Sequence, residues 1–164
     1  DKNILAIGAG GAAQPAVMRF VQAKPKSITV VNRTKSRADK MREEIRKKLD
    51  FEIKTEFDSS SNYDVIINTT SAGMTSSILP TAEIDGIDNL DFIGSHSAAA
   101  DMIYNPPETL FLQTARRQGA KTVNGLGMLI YQGIIAYELF TETTLPYDIY
   151  ERVKEYLIKE KILG

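Results

Sequence analysis

Ile4-Leu5-Ala6-Ile7-Gly8-Ala9-Gly10-Gly11-Ala12-Ala13 joins an apolar run to a glycine turn and then to helix-favouring residues. That junction is the first strand, turn and helix of a dinucleotide-binding fold. The spacing Gly8-x-Gly10-x-x-Ala13 gives each small residue its own role, with a sharp turn at Gly8, close approach of backbone to a pyrophosphate at Gly10, and helix-on-strand packing at Ala13. The pyrophosphate would rest on the unpaired N–H groups and positive dipole end of the helix. Gly8, Ala9, Gly10, Gly11, Ala12 and Ala13 are therefore candidate cofactor-binding residues. Glycine-rich turns are common, and the rest of the chain decides what this one means.

Outward from the turn, apolar strand-like runs alternate with helix-length segments. The pattern predicts an α/β fold, Rossmann-like and doubly wound, with a mostly parallel six-stranded sheet and helices on both faces. Strands are expected at residues 3–7, 27–31, 52–57, 64–68, 99–104 and 121–123. Residues 12–22 supply the first helix, ended before Lys24-Pro25 because proline disfavours helix in its predecessor. Residues 35–49 form a charged amphipathic helix with Ala38, Met41, Ile45 and Leu49 on one face. Pro106-Pro107-Glu108 opens another helix that Gly119 ends. The turn Asn124-Gly-Leu-Gly127 leads into a helix over 128–140, and a last amphipathic helix covers 147–162. Residues 75–98 read as a loop with one short helix around 84–90.

A chain of 164 residues fits one domain with a core of its own. Its 43% hydrophobic and 25% charged content is globular, and no apolar run approaches the ~18 residues of a membrane span. A formal net charge of −1 argues against a nucleic-acid surface. The absence of cysteine excludes disulfides, thiolate catalysis and thiolate metal sites, and fits a cytoplasmic location. Asp1-Lys2-Asn3 leads straight into a strand, so the start does not resemble a signal peptide, and the missing initiator methionine points to a fragment or a processed chain. His96 lies in the loop Gly94-Ser-His-Ser97 and is given no catalytic or metal role.

An NAD site usually places an acid about 20 residues into the unit, on the adenosine ribose. Here the second strand ends instead in Val31-Asn32-Arg33-Thr34, with Arg37 one helical turn further on. Two guanidiniums within reach of a 2′-phosphate give charge-assisted, bidentate contacts. The expected cofactor is NADP rather than NAD, held by Asn32, Arg33, Thr34 and Arg37. The plain alternative is that both arginines merely coat a helix start.

Several stretches together resemble the shikimate dehydrogenase family: Gly8–Ala13, Asn32-Arg33-Thr34, Asn68-Thr-Thr70-Ser-Ala-Gly73-Met74, Asp101-Met-Ile-Tyr104-Asn105-Pro106 and Gly125-Leu-Gly127-Met128-Leu129-Ile-Tyr-Gln132. They run in the family's order along the whole chain. The resemblance implies that Asn68, Thr69, Thr70, Ser71, Gly73 and Met74 border the cofactor's ribose and nicotinamide. It implies that Gly125, Met128 and Leu129 pack on the nicotinamide, where periodicity alone makes Met128 and Leu129 helix core. Tyr104 and Gln132 match positions that hydrogen-bond the hydroxylated carboxylate substrate. Asp101 is expected to be structural. Gln14-Pro15 and Glu142 depart from the family's pattern; relatives commonly carry glycine at the latter position.

In that family a separate α/β domain precedes the glycine turn, binds shikimate and carries a lysine–aspartate pair for proton transfer. The resemblance implies that this domain lies outside the present chain, so no catalytic residue and no metal ligand is expected within it. Residues 1–146 are expected to form the NADP-binding domain, with 147–164 a helix packing on it or toward the other domain. The parent reaction would be reversible NADP-dependent oxidation of shikimate to 3-dehydroshikimate in aromatic amino-acid biosynthesis, the isolated chain binding cofactor without turnover. Alternatives are a quinate/shikimate or aminoshikimate dehydrogenase domain, or a non-catalytic nucleotide-binding module. Surface that normally meets another domain tends to associate, which makes a homodimer one expected form.

Overall fold

The computed structural model describes residues 2–75 and 78–160. Five parallel strands, β1 (Asn3–Ile7), β2 (Ser27–Val31), β3 (Val65–Asn68), β4 (Ala98–Asp101) and β5 (Lys121–Val123), form one sheet in the order β2-β1-β3-β4-β5. Each pairing is parallel, from Asn3 opposite Ser27 to Ala98 opposite Lys121. The connections between them are α1 (Ala13–Gln22), α2 (Lys35–Leu49) and α3 (Leu110–Arg117). After the sheet come α4 (Leu126–Thr141) and α5 (Ile149–Lys159).

Strand alternation sorts the core into two layers. Ile4, Ala6, Ile28 and Val30 join Val17 and Val21 of α1 and Ala38, Met41 and Ile45 of α2 on one face. Leu5, Ile7 and Ile66 meet Phe111, Leu112 and Ala115 of α3 on the other. The second face is completed by Ile87, Leu90 and Ile93, and by Tyr63 with Phe57 and Phe92 packed against it.

Four expectations need correction. The sheet has five strands, not six, because residues 52–57 contribute one bridge, Thr29 opposite Lys54. Val30 N–H donates to the Lys54 carbonyl and Lys54 N–H to Ile28, but beyond this the side chains pull the segment toward α2. There the Thr55 hydroxyl donates to Asp39 and Lys35 pairs with Glu56. Residues 84–90 form turns rather than a short helix. β4 stops at Asp101, whose carboxylate accepts the Ile103 N–H at 3.0 Å and bends the chain out of the ladder. The helix after it starts at Leu110, beyond Pro106-Pro107, because Thr109 supplies the cap by accepting the Leu112 N–H. Gly119, at φ +88°, ends that helix as expected. The last helix spans Ile149–Lys159, and position 162 lies outside the described residues.

Candidate functional site

The loops after β1, β2 and β3 lie side by side at the carboxyl edge of the sheet, where strand order reverses about β1; open α/β sheets bind ligands at such a point. Gly8 leaves β1 with φ +109°, its N–H donating to the Val31 carbonyl at 2.7 Å. A Cβ there would stand 2.5 Å from Thr69 Oγ1 and 2.8 Å from Thr70 Cγ2, so both backbone and space require glycine. Beside Gly10 and Gly11 a Cβ would meet nothing within 4 Å. The turn is thus crowded where it touches the protein and open where a ligand would lie. α1 starts with no side-chain cap and no acid in its first turn, while its Ala13 and Gln14 N–H groups donate to the Gly10 carbonyl and position 15 is proline, so that first turn offers a ligand its dipole rather than free N–H groups.

Two side chains hold the turn in place. Asn32 Oδ1 accepts the Ala9 N–H at 3.1 Å while its Nδ2 donates to the Thr34 carbonyl at 2.9 Å, tying the glycine turn to the start of α2. Thr69 donates both its N–H and its hydroxyl to the Ile7 carbonyl, at 2.9 and 2.8 Å. Between these loops opens a cleft of about 860 Å³, a size ordinary for a cofactor site. Ten of the expected residues line it: Gly8, Ala9 and Gly10, then Asn32, Arg33, Thr34 and Arg37, then Thr69, Thr70 and Ser71. Arg33 pairs with Glu83 across the cleft, whereas Arg37 has no carboxylate partner among the described residues.

Beneath the β3 loop lies a buried polar knot. Asp101 accepts hydrogen bonds from Asn68 Nδ2 at 3.0 Å, from the Ile103 N–H at 3.0 Å and from the Thr109 hydroxyl at 2.7 Å. Asn68 Oδ1 in turn accepts the N–H and hydroxyl of Thr70. Burial pushes the Asp101 carboxyl above the ordinary carboxylate range, and these three donors only partly oppose it. The expected structural role of Asp101 therefore has a definite form: it ties the β3 loop, the β4 exit and the α3 cap together. Asn68 is wholly buried in this knot and shapes the cleft through Thr70.

Other expected residues lie elsewhere. Gly11, Ala12 and Ala13 belong to the turn and α1 but not to the cleft lining, and Gly73 and Met74 sit between the lining residues Ala72 and Thr75 without lining the cleft themselves. Gly125 presses against the Met102 backbone, where a Cβ would be 2.0 Å from the carbonyl oxygen, so packing within the protein already demands glycine. Met128 is exposed, and Leu129 lines an apolar groove between α4 and α5. Tyr104 is half-buried after β4 and Gln132 is exposed on α4; neither side chain has a hydrogen-bond partner among the described residues. Unanticipated lining comes from Leu79, Glu83 and Ile84, in a segment that carries no periodic pattern. No cluster of potential metal ligands and no helix long and apolar enough to cross a membrane occurs among the described residues.

Comparison with known proteins adds a family to this geometry. Residues 1–91 match the family model for shikimate/quinate 5-dehydrogenase, and residues 125–153 that for the shikimate 5′-dehydrogenase C-terminal domain. The NADP(+) shikimate dehydrogenase of Methanococcus maripaludis is 40% identical over 145 residues, covering 86% of this chain and 50% of that protein. A solved shikimate dehydrogenase in complex with NADP+ superposes with a TM-score of 0.72 at 34% identity, over 93% of this chain and 53% of the other. That from Thermus thermophilus, solved with NADP(H) and shikimate, gives 0.70 at 27% identity, over 91% and 52%. The chain spans about half the length of the relatives it matches.

Proposed function

The chain belongs to the shikimate/quinate 5-dehydrogenase family, and from that premise we propose that it is the NADP-binding part of a shikimate dehydrogenase. The observation that carries this reading is the juxtaposition, in one cleft, of an open glycine turn and the two arginines Arg33 and Arg37. Residues 1–146 would form the cofactor domain, with α5 and the residues after it a C-terminal appendage. The proposed setting is cytoplasmic.

The residues fit the group. Gly10 leaves room for the pyrophosphate, and the start of α1 supplies its positive dipole. Arg33 and Arg37 would clasp the 2′-phosphate, with Asn32 and Thr34 fixing the backbone between them. The β3 loop, from Asn68 through Met74, would border the ribose and nicotinamide, held by the Asp101 knot. Gly125, Met128 and Leu129 would shape the nicotinamide end, and Tyr104 and Gln132 would donate hydrogen bonds to shikimate. NADP, when bound, would supply hydride-transfer chemistry. The alcohol proton must move in the same reaction, and acid–base groups of that kind contribute about 10²–10⁴-fold in rate. In this reading the 164 residues alone bind NADP and do not turn over shikimate.

Titration calorimetry of the chain with NADP+ and NAD+ tests the assignment. Replacing Arg33 and Arg37 together by Gln is expected to weaken NADP+ at least tenfold and NAD+ far less. Equal losses for both dinucleotides would sink the 2′-phosphate site. Absorbance at the nicotinamide band, followed with NADP+ and shikimate, is expected to stay flat; turnover would overturn the claim that these residues lack the proton-transfer pair.

A further inference from the structure

The charged side chains lining the cleft are Arg33, Arg37 and Glu83. Glu83 stands 50 positions from Arg33 in sequence and reaches it through Oε2 on Nη1 at 2.5 Å. We propose that Glu83 is a specificity-determining residue, a built-in competitor that occupies Arg33 and limits how strongly the site prefers NADP to NAD. The inference rests on the NADP reading above and adds a residue that opposes it.

To a guanidinium, a carboxylate and a phosphate are alternative partners of the same kind: both offer two anionic oxygens to its planar fork. A 2′-phosphate brings a charge of about −1.5 to −2. To reach Arg33 it must displace Glu83 or settle beside it, and a like charge at that distance repels. Arg37 carries no such commitment among the described residues, so it is the arginine that can meet the phosphate without an exchange. NAD presents only a ribose hydroxyl at this place. A carboxylate does not repel a hydroxyl and can accept its hydrogen bond, as acids do in NAD sites. Glu83 therefore narrows the preference from both sides. Its pair with Arg33 is exposed at both ends, 71% and 66%, so the effect is several-fold and not many orders of magnitude.

Titration calorimetry on the chain and its Glu83→Gln, Arg33→Gln and doubly substituted variants tests this, with NADP+, NAD+ and adenosine 2′,5′-bisphosphate as ligands. Glu83→Gln is expected to tighten NADP+ and the bisphosphate about three- to tenfold while NAD+ stays level or weakens by up to about twofold. With Arg33→Gln already present, the gain from Glu83→Gln should fall by at least half on a logarithmic scale. Unchanged or weaker NADP+ binding in Glu83→Gln, or an equal gain for NAD+, overturns the role of Glu83 and leaves the NADP reading standing. If no protein binds any of the three ligands, the reading of the cleft falls and the role of Glu83 with it.

Discussion

In the β1–α1–β2 unit each strand residue after the first is buried, α1 buries one side in Ala13, Val17 and Val21, and the turn between strand and helix is fixed by hydrogen bonds on both flanks. At the other end of the chain α4, sixteen residues long and apolar almost all round, buries only Ile130, and α5 buries nothing. These two helices pack on each other, with Tyr131 stacked on Tyr150 at 4.5 Å, and leave an apolar groove of about 530 Å³ between them. Leu139 and Phe140 are 75% and 89% exposed. The first region shows an amphipathic helix doing what its pattern requires; the second shows apolar content without a matching buried face, the kind of surface on which proteins associate.

The contrast can be broken at one residue. Gly125 is where α4 leaves the sheet, pressed on the Met102 carbonyl. Gly125→Ala is expected to cost about 3 kcal/mol or more, because backbone and not a movable side chain must yield. Hydrogen exchange should show α4 and α5 loosening before β1 and β2 do; uniform loss across the chain would mean the two regions are one cooperative unit.

A smaller effect sharpens the other side. The Asp101 carboxyl titrates above its ordinary value in the folded state because burial disfavours its charge. Its contribution to stability is then fully present below the ordinary value of 3.8 and is lost as pH rises through the raised folded value. Denaturant melts of the wild type and Asp101→Asn across this range should differ by a gap that grows with pH in the variant's favour, superimposed on whatever the altered hydrogen bonds cost at all pH values. A gap independent of pH would show that Asp101 is not perturbed as described. Asp58, Asp64 and Glu56 shift the opposite way and cancel in the comparison, being common to both proteins.

The smallest expected effect is at the exposed end. Phe140→Ser should change stability by less than about 0.5 kcal/mol, since nothing is buried there, while light scattering should report less self-association if the bare helix pair drives any. A loss of more than about 1 kcal/mol would mean that the residue is covered in solution.

What was legible in the chain follows the same division. β1, β2 and β5 fall where the apolar runs place them, and ten of the cleft residues were readable from the glycine turn, Asn32–Arg37 and the β3 loop. Local chemistry specifies the first two groups, a glycine turn into a helix and two guanidiniums at the end of a strand, while the β3 loop was implied by the family resemblance. The stretch 52–57 alternates like a strand, but its fate depends on Thr55 and Glu56 finding partners on α2, which spacing does not reveal. Glu83 was invisible for a similar reason, its meaning arising only when an irregular segment brings it to Arg33. Glu142, where the family resemblance implies a glycine, ends α4 at φ +53°, a left-handed backbone that glycine favours.

The single bridge between Thr29 and Lys54 has a consequence for how copies of the chain behave together. An open strand edge invites another chain's strand to zip onto it. On β2 that edge is taken at Ile28 and Val30 by one short stretch, whose Glu52, Lys54 and Glu56 place charges along the approach. At the opposite border β5 is three residues long, too short to template a ladder. The sheet is thus closed to growth at both ends, and the segment that stops short of becoming a strand acts as its guard.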